Sequence, residues 1–190
     1  GIRDILDRVL SIRPALKTAG VEDLEVIVVD DGSQDRTSEI VGATPGVKLI
    51  RHSTNRGYGA AIKTGFRHAR GEFLAFLDAD STYPPERFAK LCEVMLQRDM
   101  DVVVGSRRSG IEVSEMPFVR RIGNTAWSLL LTLIGDRLVQ DPASGMRVIR
   151  RRCLELLYPL PDGLNFTPVM TTRAIHEGLR FAEIGIPYSE

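Results

Sequence analysis

Two aspartates, Asp78 and Asp80, stand one residue apart where the apolar run of "FLAFLDADSTYPPE" (73–86) ends. Hard oxygen ligands of this kind suit Mg2+ or Mn2+, which keep several waters and use one or two carboxylates together with substrate phosphates. On a fully extended backbone both side chains would point the same way. A strand end followed by an Asx-turn uses the same residue types, so the pair has to be weighed with two other clusters. Asp30-Asp31-Gly32-Ser33 ends the run "LEVIVVD" (24–30). One of its carboxylates can accept hydrogen bonds from a base or ribose, while Asp31 or Ser33 can cap the helix that follows. Gly105-Ser106-Arg107 ends "DVVVGS" (101–106). Three polar clusters after three apolar runs form a constellation.

Other candidates carry less. "NRGYGAAIKTG" (55–65) resembles a phosphate loop, with Gly57, Gly59 and Lys63, but fits neither the Walker spacing nor Gly-x-Gly-x-x-Gly. Its glycines are expected to let a helix approach its neighbours closely. Lys63 is either within reach of a pyrophosphate or a solvated surface lysine. Arg107, Arg108, Arg120 and Arg121 offer guanidinium forks that match phosphate oxygens. His52, His68 and His176 share no metal-binding spacing and receive no role. No serine sits in a nucleophile elbow, so hydrolase chemistry has no support.

The elements that must position these residues alternate. Residues 1–13 carry a helical stripe of Ile5, Val9 and Ile12, with Leu6 and Leu10 beside it. Strands are expected at 24–30, 47–51, 72–78 and 101–106, with helices at 57–70 and 84–97 between them. This alternation predicts an α/β fold, a mostly parallel central sheet flanked by helices, with ligands beyond the carboxyl ends of the strands. Further on, "FVRRIGNTAWSLLLTLI" and "FTPVMTTRAIHEG" (166–178) read as helices. "DPASGMRVIRR" (141–151) reads as a turn and short strand, and "RFAEIGIPYSE" as a final strand. The chain opens on a helix where such a sheet usually begins with a strand. The expectation is a single domain over 1–190 that lacks its first strand and is open at both ends.

Composition sets broad limits. The 190 residues are enough for one domain with a sizeable core. Lys plus Arg and Asp plus Glu balance at 25 each, which does not favour nucleic acid as a partner. Cys92 and Cys153 lack ligand spacing and are expected to be buried and reduced. No secretory signal opens the chain, and no apolar run approaches the ~20 residues that span a bilayer. "AWSLLLTLIG" (126–135) is short enough for a core helix; with the arginines before it, it could also lie on a membrane surface.

Taken together, "VIVVDDGSQDRT", "NRGYGAAIKTGFRHARGEFLAFLDAD", "VVVGSRR", "RRIGNTAWSLLL" and "DPASGMRVIRR" resemble the inverting family 2 glycosyltransferases of GT-A fold. Within them the chain is similar to the dolichyl-phosphate mannosyltransferase and polyprenyl-phosphate glycosyltransferase branch. The resemblance implies that Asp78, Ala79 and Asp80 form the Asp-x-Asp that holds Mg2+ or Mn2+ against the donor diphosphate. It places Asp31 at the donor nucleoside with Asp30 beside it; Gly57 and Lys63, from the glycine-rich stretch, are further donor-binding candidates. It places Arg107 near the diphosphate or acceptor, and Arg121 and Ser144 with the acceptor. Asp141, Ser144 and Gly145 match an Asp-x-x-Ser-Gly turn. Two departures stand out: Thr82 occupies a position often held by a metal-binding Gln, and the branch's nucleobase-contacting first strand is missing. No Gln-x-x-Arg-Trp is present, which argues against a processive polysaccharide synthase.

The implied reaction moves a hexose from UDP- or GDP-hexose to a polyprenyl phosphate, with inversion, at the cytoplasmic membrane face. Asp80 and Arg107 would serve the leaving diphosphate. A lipid phosphate is already anionic, whereas a sugar or cell-wall glycan acceptor would need a base, for which Asp141 is the candidate. A noncatalytic sugar-nucleotide-binding relative is the reading from another class. A nucleotidyltransferase lacks support, since its Gly-rich opening is not found.

Overall fold

The computed structural model describes residues 1–107 and 139–187. The apolar stripe at the start becomes α1 (Ile2–Ser11), which buries Ile5 and Leu6, and α2 (Arg13–Thr18) follows with proline in its first turn. The β-branched runs form β1 (Val26–Asp30) and β2 (Val47–Arg51), joined through α3 (Thr37–Gly42). Then come α4 (Tyr58–His68), β3 (Phe73–Phe76), α5 (Phe88–Gln97) and β4 (Val102–Ser106). After the undescribed stretch come β5 (Arg147–Arg150), α6 (Leu154–Leu157), α7 (Phe166–His176) and β6 (Phe181–Gly185). Every strand and helix expected within the described residues is present. The apolar segment 126–135, Arg108, Arg120 and Arg121 lie outside them.

The α/β layering follows the sequence; the pairing is more mixed than alternation predicts. β1 and β2 pair in parallel, from Val26 opposite Val47 to Asp30 opposite Arg51. The other sheet has the order β3-β5-β4-β6. β4 and β6 are parallel, but β5 runs antiparallel to both β3 and β4. Reading each strand as one more βα unit missed this reversal, because a short apolar strand shows no direction in its sequence. Along β4 the alternation is clean. Val103 joins a core with Ile12, Leu16, Leu91, Met95 and Val148, while Val102 and Val104 join another with Phe66, Leu74, Ile149, Phe166 and Met170. The second sheet is thus covered by helices on both faces.

β1 and β3 share no ladder. Between them lies a cavity of about 1460 Å3, lined by Val26–Val29 of β1, Phe73–Phe76 of β3, and Ile2, Ile5 and Leu6 of α1. Among the described residues no strand fills this gap. The gap explains why Ile27, Val28 and Val29, read as buried on both faces, are only half-buried. The cavity continues to the carboxyl end of β3, where Asp78, Asp80 and Arg107 line it. Cys92 and Cys153 are free and buried, and burial pushes the Cys92 thiol up to about 12.

The opposite end of the second sheet is tied by charge. Asp101 accepts hydrogen bonds from the Arg180 guanidinium at 2.9 and 3.0 Å and from Arg152 at 2.9 Å. These partners hold its carboxyl well below the usual range, Arg180 contributing most. A carboxylate depressed by folding stabilises above its unfolded pKa and loses that contribution as pH falls through the folded value. Asp101→Asn should therefore cost roughly 1–3 kcal/mol at pH 7, the range for hydrogen bonds to charged groups. In chemical denaturation the difference from the parent should shrink as pH drops below 3.8.

Candidate functional site: a carboxylate pair at the sheet edge

The site is built where β3 ends. The backbone does not stay extended past Asp78: Ala79 and Asp80 lie in a turn, and Ser81 has a positive φ of 68°. Strand alternation therefore does not bring the two carboxylates together; the turn does. Thr82 closes it, donating to Asp80 Oδ1 from its backbone N–H at 3.0 Å and its hydroxyl at 2.7 Å. Asp80 is exposed and Asp78 half-buried. Burial raises the Asp78 carboxyl above its ordinary value, and the neighbouring Asp80 charge adds to this. The neighbouring Tyr58 hydroxyl and the charges of Arg107 and Arg147 act in the opposite direction. Tyr58 itself is pushed far up, mainly by burial, so its proton stays on. A partly dehydrated carboxylate beside a second one is short of positive charge, and that donor set fits a hard divalent cation. Among the described residues no group of three or more His, Cys, Asp or Glu gathers for a metal.

One wall of the site is the turn before β5. Gly145 is pressed against Asp78: a Cβ there would lie 2.5 Å from Asp78 Oδ2 and 3.2 Å from Tyr83 Cε2. Its N–H donates to the Tyr83 hydroxyl at 2.8 Å. Ser144, nominated for the acceptor, is fully buried, and its hydroxyl donates to Gly105 O at 2.5 Å. It braces the turn and does not face the cleft. Asp141, nominated as a base, is also fully enclosed. Arg107 grips it in a fork, with Nε and Nη2 each 2.7 Å from a different carboxylate oxygen, and the Arg107 backbone N–H adds a third bond at 3.0 Å. In this placement Asp141 is enclosed and engaged with Arg107, which lines the cleft.

The donor-side candidates divide similarly. Asp30 is buried; it accepts from Ser33 N–H at 2.8 Å and from the Ser38 hydroxyl, and so fastens the turn into α3. Asp31 accepts from the N–H groups of Arg56 and Gly57 at 2.9 and 2.8 Å and contacts His52 Nδ1 at 2.6 Å. Burial would raise its carboxyl, but these partners outweigh that and hold it below the ordinary value. Lys63 donates to Leu160 O at 2.8 Å and pairs with Asp162 at 2.7 Å. The glycines do what the sequence suggested. Gly59 N–H donates to Asp162 O at 2.7 Å, and a Cβ on Gly59 would overlap the Pro161 carbonyl. Gly57, at φ 100°, turns the chain into α4.

Sequence reasoning missed Tyr58, Tyr83 and Leu164. Tyr58 was hidden among the glycines of "NRGYG", although an aromatic amid a polar loop is a signal. Leu164 is 83% exposed and lines the same cleft.

Comparison with known proteins gives the arrangement its context. The model for glycosyl transferase family 2 matches residues 2–157. A dolichyl-phosphate hexose transferase of Haloferax volcanii is 33% identical over 169 residues, covering 87% of this chain and 70% of its own. A low-salt glycan biosynthesis hexosyltransferase of the same organism is 33% identical over 175 residues, covering 90% and 42%. A dolichol-phosphate mannosyltransferase of Pyrococcus furiosus is 34% identical over 138 residues, covering 69% and 39%. The chain spans about half the length of most curated relatives it matches. Among solved structures, glucosyl-3-phosphoglycerate synthase of Mycobacterium tuberculosis, in complex with Mn2+, uridine diphosphate and phosphoglyceric acid, aligns with a TM-score of 0.76. It is 19% identical and covers 98% of this chain and 64% of its own, so the likeness is one of fold.

Gly145→Ala should push Asp78 out of place. Titration calorimetry should show Mn2+ affinity at least about tenfold weaker, as for groups that orient a metal ligand.

Proposed function

This chain belongs to glycosyl transferase family 2, and we propose that it transfers a hexose from a nucleotide-diphosphate sugar to a polyprenyl phosphate at a membrane face. The observation that carries the reading is the Asp78/Asp80 pair at the strand end, with Arg107 lining the same cleft. Asp78 and Asp80 would hold Mg2+ or Mn2+; when bound, the cation offsets charge developing on the leaving diphosphate. The protein's own groups prepare the site. Asp141 orients the Arg107 guanidinium by its fork. The Tyr58 hydroxyl favours the ionised form of Asp78 despite burial. The acceptor oxygen displaces the diphosphate at the anomeric carbon from the opposite side, inverting it.

Two observations favour an anionic lipid over a sugar hydroxyl as acceptor. A phosphate arrives deprotonated and needs no base, and Asp141, the residue proposed as base, is enclosed by Arg107. Leu164 places a bare apolar side chain on the rim of the same cleft, where an isoprenoid chain would pass. Relatives named for dolichyl-phosphate chemistry agree. Among the described residues no helix is long and apolar enough to cross a membrane. Contact at the membrane face, and the acceptor role of Arg121, are part of the proposal.

The test is transfer of labelled sugar from UDP-glucose or GDP-mannose, with Mn2+, to polyprenyl phosphate. A lipid-linked product, abolished by Asp78→Asn/Asp80→Asn, is expected. A saccharide product formed without lipid phosphate would overturn the acceptor assignment, and donor binding without turnover would favour a noncatalytic relative. Leu164→Ser should raise KM for the lipid about three- to tenfold with little change in kcat, as expected for losing part of one leucine's apolar contact.

A further inference from the structure

His52 received no role from the sequence, yet it is buried between β2 and α4 with both ring nitrogens engaged. Nδ1 lies 2.6 Å from Asp31 Oδ1, and Nε2 lies 3.0 Å from Thr64 Oγ1. Its backbone N–H donates to Asp30 O at 2.9 Å, so the residue is fixed by the parallel ladder itself. The network assigns the tautomer. Nδ1–H donates to the carboxylate, and Nε2 accepts from the Thr64 hydroxyl. The Thr64 oxygen in turn accepts from Arg67 at 3.1 Å.

What Asp31 does next gives this arrangement its purpose. Its oxygens hold the N–H groups of Arg56 and Gly57. Gly57 sits at φ 100°, a conformation open to glycine and strained for other residues. The next residue is Tyr58, which lines the cleft with Asp78 and whose hydroxyl favours the ionised Asp78 carboxyl. Hydrogen bonds therefore lead from the imidazole to the Arg56–Gly57 backbone, and the next residue, Tyr58, lines the same cleft as Asp78. The two backbone N–H groups take one carboxylate oxygen each, and the imidazole N–H adds a third donor, on Oδ1, that anchors the carboxylate to the end of β2.

We propose that His52 is a positioning residue of the carboxylate-pair site. By fixing the Asp31 carboxylate it sets the Arg56–Gly57 backbone and, through it, the place of the Tyr58 hydroxyl in the cleft beside Asp78. The part of this that concerns metal rests on the reading of Asp78 and Asp80 given above.

The test uses the full chain, with Mn2+ alone as probe, in the parent protein and in His52→Ala, His52→Asn and Tyr58→Phe. Amide exchange at Arg56 and Gly57 is followed by NMR, and free Mn2+ by electron paramagnetic resonance. His52→Ala should speed both amides and weaken Mn2+ about tenfold, as for partners that orient a metal ligand. His52→Asn, whose side-chain N–H can stand in for Nδ1–H, should recover both readouts to within about twofold of the parent. Combining His52→Ala with Tyr58→Phe should weaken Mn2+ no further than the worse single change, because both act through one hydroxyl. A folded His52→Ala with parental exchange and Mn2+ affinity overturns the proposal, as do fully additive effects. If His52→Ala does not fold, Thr64→Val frees only Nε2, and unchanged exchange at Arg56 and Gly57 in that variant overturns it as well. Should Mn2+ bind the parent and Asp78→Asn/Asp80→Asn alike, the metal reading fails, while the exchange readout still decides the role of His52.

Discussion

A carboxylate that has lost part of its water at the end of a strand must be compensated, and the compensation of Asp78 organises this end of the molecule. Burial and the adjacent Asp80 both work against its charge. What works for it is the Tyr58 hydroxyl and the field of two arginines. None of these is sufficient to make a buried anion comfortable, which is the condition under which a cation is attracted. The site is thus poised by its own deficit, and each neighbouring element can be read by how it maintains that state.

The second support is a buried polar network beneath the cleft. Asp141 and Glu183 face Arg107 and Arg147, two charges of each sign. Glu183 accepts from the N–H groups of Gln140 and Asp141. Arg147 is fully enclosed, and burial lowers its guanidinium to about 10, so it remains a cation at neutral pH. It donates to Ser144 O, Pro142 O and the Thr171 hydroxyl oxygen, at 2.9, 2.7 and 2.7 Å. Buried charges are tolerated only when paired and fully hydrogen-bonded. Meeting that requirement fixes the turn from 141 to 146, and with it the bare Cα of Gly145 against Asp78. The antiparallel entry of β5 between β3 and β4 is what delivers this turn to the strand end.

Much of this was legible in the sequence because it rests on local pattern. The apolar runs, their polar ends and the prolines and glycines between them are short-range signals, and the strands and helices fall where they indicate. The Asp-Ala-Asp spacing pointed to two carboxylates at one strand end, and the turn at Ser81, not strand alternation, brings them together. The direction of β5 was not legible, since nothing in "RVIR" distinguishes a parallel from an antiparallel neighbour. Nor were the roles of Asp141, Ser144 and Lys63, whose partners lie tens of residues away in the chain. A side chain's chemical type is visible in sequence; whether a distant group has already claimed it is not. His52 shows the converse, since without knowledge of Asp31 and Thr64 beside it, its type alone said nothing.

The central claim is that Asp78 and Asp80 together hold a divalent cation. Crystals of the protein soaked with Mn2+, measured on both sides of the manganese absorption edge, test it most directly. The account predicts an anomalous peak within coordination distance of a carboxylate oxygen of Asp78 or Asp80, lost in Asp78→Asn/Asp80→Asn. A peak at other residues, or none at saturating Mn2+, would contradict it.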